Sequence, residues 1–262
     1  MFKYPRTNHV VGSRLQPGDE ELEQIPWKTL RGRHVVVEEK LDGANCGISF
    51  SPTRELLLQS RGHFLTGGPR ERQFDWLKRW AAAHREHLWR LLGDRYVVYG
   101  EWLYGKHTIF YDELPHYFVE YDMLDTQAMT FLNTPARLQM LHGSGIPSAP
   151  ILRQGPAESL PPLTEMNVRS AYRSARWRER LRAAARQRGL DPEQVFRETD
   201  ASELGEGLYI KVEADGRVHD RLKWIRASYF QTVIDSGSHW FDRPILPNGL
   251  RAGVDLFASG PC

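Results

Sequence analysis

At 262 residues the chain is long enough for one large domain with a substantial core, or for one domain and a small appendage. Its 35 basic and 33 acidic side chains leave a net charge of +2, a sum too small to name a partner, and no apolar run is long enough to cross a bilayer. Lys3, Arg6 and Asn8 interrupt any signal-peptide pattern, and two cysteines, Cys46 and Cys262, supply neither a disulfide framework nor the Cys/His spacing of a zinc site; a cytoplasmic protein without zinc is expected.

In chain order, Pro17 to Glu23 reads as a loop leading into a short helix. Val35, Val36 and Val37 read as a buried strand, Asp42-Gly43 as a tight turn and Cys46 to Phe50 as the returning strand, so Lys40 stands at the mouth of a sheet. Leu56 to Ser60 is a further strand. From Arg70 to Leu92, Phe74, Leu77, Trp80, Ala81, Leu88 and Leu91 recur at helical spacing, with the charged residues largely elsewhere. Tyr96 to Trp102 and Tyr117 to Met123 are strands, Pro135 to Leu141 a helix opened by proline, and Ile151 to Arg153 a short strand before the loop Gly155 to Pro162. A helical stretch from Thr164 to Arg188 precedes a hairpin, Leu208 to Glu213 and Arg217 to Trp224, turned at Asp215-Gly216. Strands dominate without regular βαβ alternation, which gives an α+β class with antiparallel sheets.

Lys40 lies at the end of an apolar strand, in Glu39-Lys40-Leu41-Asp42-Gly43. A free lysine titrates near ~10.4, so only about one in a thousand is neutral near neutral pH, and a nucleophilic lysine needs burial or neighbouring positive charge. The plain alternative is a hairpin with a surface lysine. Further segments follow in order: Ser60-Arg61-Gly62, Tyr99-Gly100-Glu101-Trp102, Phe118-Val119-Glu120-Tyr121-Asp122, Glu206-Gly207-Leu208-Tyr209-Ile210-Lys211 and Arg221-Leu222-Lys223-Trp224. With Lys40-Leu41-Asp42-Gly43 at their head, this set resembles the covalent nucleotidyltransferases, and within them the ATP-dependent RNA ligases of the RNA ligase 2 type.

The resemblance implies an ATP-grasp-like nucleotidyltransferase domain, two antiparallel sheets with flanking helices enclosing a nucleotide cleft. It implies that residues 1–230 form the adenylyltransferase domain, with an arginine-rich helical insertion near 164–200, and that 231–262 are a short extension without an oligonucleotide-binding barrel. The implied reaction joins RNA 3′-hydroxyl and 5′-phosphate ends, in RNA repair, through a lysyl-AMP intermediate on Lys40. ATP and magnesium, or manganese in its place, are the implied cofactors, and a separate end-healing kinase or phosphatase the implied partner. Arg61 would contact the sugar or phosphates, Glu101 a ribose hydroxyl, and Glu39 the base edge. Lys211 and Lys223 would stand at the α-phosphate as catalytic charges and depress the pKa of Lys40. Glu206 would serve the metal side, and Asn45 would hold metal-bound water. Phe118 is the expected adenine platform, although an aromatic there equally makes an ordinary core residue. Arg221 departs from the family's usual lysine and presents a planar fork in its place.

Between Val168 and Arg188 lie eight arginines against one glutamate. That face is expected to bind RNA through Arg173, Arg180 and Arg182; the alternative is a solvated helix whose arginines pair with acids elsewhere. A capping guanylyltransferase or a DNA ligase core is the competing enzymatic reading, but both usually carry a roughly five-stranded barrel after the last motif, and 38 residues follow Trp224 here. A non-catalytic nucleic-acid-binding protein on the same fold is a third. The tail Ser238 to Pro244 and the opening Arg6-Thr7-Asn8-His9 suggest no mechanism from sequence.

Overall fold

A computed structural model of the chain describes residues 1–15, 18–236 and 243–258. The strands are β1 (Asn8–Val10), β2 (Gln24–Ile25), β3 (His34–Lys40), β4 (Ala44–Phe50), β5 (Leu56–Ser60), β6 (Tyr96–Trp102), β7 (Phe118–Asp125), β8 (Thr130–Leu132), β9 (Ile151–Pro156), β10 (Gly207–Ala214) and β11 (Arg217–Ile225). The helices are α1 (Asp75–Ala83), α2 (Arg85–Leu92), α3 (Thr134–Leu141), α4 (Leu163–Met166), α5 (Trp177–Gln187), α6 (Pro192–Arg197) and α7 (Ala227–Asp235). No helix among the described residues is long and apolar enough to cross a membrane.

The two expected sheets are halves of one hydrogen-bonded surface, in the order β5-β4-β6-β7-β8-β11-β10-β3-β9. The halves join where β8 meets β11, at only two residue pairs, Leu132 with Arg217 and Phe131 with Val218. Every neighbouring pair along this path is antiparallel, while β1 adds in parallel to β11 and β2 to β1. The alternation in β4 is clean: Cys46, Ile48 and Phe50 join Leu77, Trp80 and Leu88 of α1 and α2 in one core cluster. In the other half, Val35 and Val37 of β3 pack with Leu208, Ile210, Val212 and Leu222. Because β3 is paired on both edges, by β10 and β9, it is buried almost throughout, which is why it reads as an unbroken apolar run into two glutamates.

The expected hairpin around Lys40 does not form. Strand β3 pairs with β10 and β9, and β4 with β5 and β6, so residues 41–43 carry the chain from one half of the sheet to the other. Asp42 turns inward to fix this crossing. Its Oδ2 accepts the N–H groups of Thr108 at 2.8 Å and Ile109 at 2.6 Å, and its Oδ1 accepts the Tyr229 hydroxyl at 2.8 Å. Gly43 is needed for close approach: a Cβ there would lie 2.6 Å from Leu103 Cδ2 and 2.8 Å from the Trp102 carbonyl oxygen.

The β10–β11 hairpin forms as expected, with Asp215 (φ 51°) and Gly216 (φ 75°) both in the left-handed region at its turn. The single helix expected over 70–92 is broken at His84 into α1 and α2, and the stretch 164–188 contains the short α4, an irregular segment and α5. No helix forms in the described part of 17–23. The tail 238–244 lies mostly outside the described residues, as does Cys262; residues 243–258 strap the body, with Asn248 accepting the Tyr111 N–H at 2.9 Å and donating to the Leu103 carbonyl at 2.8 Å.

Candidate active site

Lys40 ends β3 at the point where the two halves of the sheet part, and the gap between them is a cleft of ≈ 390 Å³. That lies within the usual range for a small-molecule site. Its walls include Glu38, Glu39 and Lys40 from β3, Asn45 from β4, Arg61, Glu101 from β6, Tyr121 from β7, Tyr209 from β10 and Lys223 from β11. Residues far apart in sequence are brought together by strand register: Asn45 lies directly opposite Glu101, and Lys223 opposite Tyr209.

The ammonium of Lys40 donates to Glu206 Oε2 at 2.7 Å. Burial pulls the Lys40 pKa down, but Glu206, Glu101 and Asp42 together outweigh it and hold the lysine above its ordinary value. The expected depression by neighbouring lysines is outweighed here, although Lys40 and Lys223 do repel each other. Lys211 is wholly buried, its Nζ 2.9 Å from Glu38 and 3.4 Å from Asp122 while donating to the Tyr121 carbonyl. It lies two strand pairs beyond Tyr209, away from the Lys40 end of β10, where the two halves close over it. Lys211 therefore belongs to the floor and does not line the cleft. The same floor holds Arg137, which donates to Glu120 at 2.8–2.9 Å and to Glu38, and Arg221, whose guanidinium lies 3.8 Å from the Phe131 ring centroid and 3.9 Å from Asp122. Arg221 thus lies beneath the site, over the Phe131 ring.

Phe118 is also displaced from its expected role. Its ring is fully buried on the helix side of the sheet, stacked against Trp80. Its place follows from the β6–β7 register: Phe118 lies opposite Trp102, whose side chain belongs to the same helix-side core, whereas Glu101 lies opposite Val119. Tyr121, on the same face as Val119 and Glu101, enters the cleft at a β-bulge that pairs Gly100 with Glu120 and Tyr99 with Asp122; its hydroxyl accepts from Asn45 Nδ2 and its ring packs against Tyr4 and Tyr209. Alternation from Val119 puts Tyr121 on the Glu101 side, but the β6–β7 register that shows it is not visible in sequence, so sequence reasoning missed Tyr121 as the aromatic wall.

Glu101 is held up to about 7, first by burial and then by Glu206, with Lys40 and Arg61 acting the other way. Burial likewise raises Glu39, whose Oε2 accepts the Ala171 N–H at 3.2 Å. Arg61 follows β5 at the cleft wall, and a Cβ on Gly62 would meet nothing within 4 Å, so packing does not account for that glycine. Lys223 donates to Asp19 at 2.7 Å. Tyr4, Arg6, Thr7, Asp19 and Leu22 complete the wall, a contribution of the N-terminal segment that has no signal in motif spacing.

The described residues contain no preformed cluster of three or more His, Cys, Asp or Glu side chains fit to hold a metal. The donor set still suits magnesium. Glu101 and Glu206 are carboxylates whose buried charge Lys40 alone does not balance, and magnesium needs only one or two carboxylates when a polyphosphate supplies the rest. Asn45, committed by its amide N–H to Tyr121, keeps its carbonyl oxygen for a water.

The three arginines expected to face RNA are all engaged within the fold. Arg173 is buried, donating to the carbonyls of Phe110 at 3.1 Å, Asp200 at 2.8 Å and Ser202, with its guanidinium 3.7 Å from the Trp177 ring centroid. Arg180 pairs with Asp112 and Glu113, and Arg182 pairs with Glu193 at 2.7 Å. The acids missing locally arrive from other segments of the fold.

Comparison with solved structures finds the same fold in Naegleria gruberi RNA ligase. An alanine variant without ligand is 17% identical, with a TM-score of 0.55 over 89% of this chain and 58% of that one. Two other alanine variants of the same enzyme, one solved with ATP and manganese and one with AMP and manganese, match at 17% identity, with TM-scores of 0.51 and 0.50, covering 89% and 87% of this chain and 59% and 62% of theirs. The chain thus spans under two thirds of the length of these relatives. No curated protein matches the sequence. The RNA ligase family model matches residues 33–225, from the start of β3 to the end of β11, and the chain belongs to that family.

Proposed function

We propose that this protein is an ATP-dependent RNA ligase that joins 3′-hydroxyl and 5′-phosphate RNA ends through AMP carried on Lys40. The observation that carries the reading is the Lys40 ammonium, 2.7 Å from Glu206 at the edge of a nucleotide-sized cleft flanked by Glu39, Glu101, Arg61, Tyr121 and Lys223. Tyr121 offers the ring face for the adenine, in place of Phe118, and Glu39 lies at the base edge. Glu101 is suited to accept from a ribose hydroxyl. Arg61 and Lys223 are the cations available to the phosphates.

In the first step the Lys40 amine forms a bond to the α-phosphorus of ATP as the bond to pyrophosphate breaks. Lys40 must first lose a proton, and the acceptor in reach is Glu206. As the phosphate bears more charge in the transition state, Lys223 stabilises it. Magnesium bound at the Glu206 and Glu101 side would supply neutralisation of the pyrophosphate leaving group. AMP then passes to the RNA 5′-phosphate, and the 3′-hydroxyl displaces it. Such ends are what end-healing kinase or phosphatase chemistry yields, so RNA repair is the setting that this reading supports. Residues 1–230 act as the adenylyltransferase domain, strapped by the segment that follows.

The test is incubation with α-labelled ATP and magnesium in the absence of RNA. Covalent label on the wild-type protein, absent from Lys40→Ala, is the expected result, with the alanine variant still sealing pre-adenylylated RNA. Label retained by the alanine variant, or none on the wild type, would reject the assignment.

A further inference from the structure

The N-terminal segment reaches the site through an ordered chain of hydrogen bonds that ends on Lys223. Strand β1 lies in parallel register with β11, His9 opposite Lys223. The imidazole of His9 is fully buried, with Nδ1 2.7 Å from Ser13 Oγ and Nε2 3.0 Å from Asp19 Oδ2. The Ile225 backbone N–H, which can only donate, occupies Ser13 Oγ at 2.8 Å. The Asp19 carboxylate can only accept, so in the neutral ring Nε2 carries the hydrogen donated to it and Nδ1 accepts from the Ser13 hydroxyl. Burial lowers the pKa of His9, in keeping with this neutral form. Asp19 Oδ2 also accepts from Lys223 Nζ at 2.7 Å, and Oδ1 faces Arg6 at 3.5 Å. Both carboxylate oxygens are thus oriented, and two N–H donors of Lys223 remain for the cleft that Asp19 and Lys223 both line.

Resting on the ligase reading above, we propose that Asp19, fixed in place by the His9–Ser13–Ile225 chain, is a positioning residue that keeps the Lys223 ammonium charged and aimed at the polyphosphate. The groups facing Lys223 are Asp19, with His9 and Arg6 behind it, Lys40 at the end of β3 and Glu206 before β10. Burial and the Lys40 charge pull Lys223 towards the neutral form, and Asp19 and Glu206 oppose them. Asp19 is also the direct partner, so its loss both frees the side chain and favours deprotonation. Second-layer partners of this kind typically change activity by about 10- to 100-fold.

The test follows single-turnover self-labelling with ATP and magnesium from neutral to alkaline pH. Asp19→Asn is expected to lower the maximal rate about 10- to 100-fold with little change in the ATP concentration at half-maximal rate. It should also move the alkaline decline to lower pH, as Lys223 gives up its proton sooner. Adding Lys223→Arg should remove that decline, because guanidinium stays charged. If Asp19→Asn unfolds, as thermal melting would reveal, His9→Leu and His9→Gln supply the same reading: the leucine variant should shift the decline, and the glutamine variant, with an amide donor for Asp19, should restore it. An unshifted decline in a folded, label-competent variant overturns the positioning role alone, whereas no label on the wild-type protein rejects the ligase reading and this proposal with it.

Discussion

Phe118 occupies the space that Gly100 leaves empty: a Cβ on Gly100 would lie 2.5 Å from the Phe118 ring and 2.7 Å from the Val119 carbonyl oxygen. The glycine before Glu101 is therefore a packing requirement of the β6–β7 pair. Gly100→Ala should destabilise the fold by about 1–3 kcal/mol through overpacking, read as a lower urea midpoint.

The two aromatic residues of β7 separate packing from binding. Phe118→Leu is expected to lower stability by about 1 kcal/mol or more while leaving the half-saturating ATP concentration for self-labelling unchanged. Tyr121→Leu should raise that concentration by roughly 5- to 30-fold, corresponding to a loss of about 1–2 kcal/mol of stacking. Raised ATP requirement in the Phe118 variant alone would return the base platform to the position first read from the sequence.

Glu101 makes stability fall as pH rises. Its folded pKa, about 7, lies above the ordinary carboxylate value, so between the two the native state holds a proton that the unfolded chain has released. The group's favourable contribution is complete at acidic pH and is lost as pH approaches 7. Glu101→Gln should therefore remove a downward slope in unfolding free energy between mildly acidic and neutral pH, worth on the order of 1–3 kcal/mol. Urea midpoints across that range check it; parallel slopes for the two proteins would contradict it.

In the arginine-rich region the burial differences give opposite outcomes. Arg173→Gln strands three buried carbonyls, while Asp200 keeps Arg226 at 2.8 Å, and should cost about 3–5 kcal/mol. Arg182→Gln breaks a solvent-exposed pair and a contact over the Phe196 ring, and should move the urea midpoint far less. The latter should also leave the salt dependence of RNA binding unaltered, since its guanidinium is engaged with Glu193. A slope smaller by about 0.7–0.9 in log–log terms would instead mark Arg182 as a phosphate contact.

What could be read from the sequence followed local rules. The β10–β11 hairpin declared itself through Asp215-Gly216 between alternating strands, and the position of Lys40 followed from the strand that ends on it. The errors arose where tertiary arrangement overrides local order. Lys211 and Lys223 are both lysines at motif ends, and only strand register tells that one lies under the closing halves of the sheet and the other at the cleft wall. Resemblance alone put Phe118 in the cleft, whereas the β6–β7 register sets it opposite Trp102 on the helix side. The arginine cluster looked unpaired because its acids, Asp112, Glu113 and Glu193, lie outside the segment. His9, Ser13 and Asp19 carried no signal because their significance depends on contact with β11.

The crossing of the chain at 41–43 also sets the order of assembly during synthesis. Strand β3 has no partner in β4; its ladders await β9 and above all β10, where Lys40 pairs with Gly207 and His34 with Glu213. Contacts of such sequence separation form late, after the entropy of closing a long loop has been met. A ribosome-bound chain that has emerged only as far as α3 thus holds Lys40 without Glu206, Tyr209 or Lys223, and the walls of the cleft are complete only with the last hairpin.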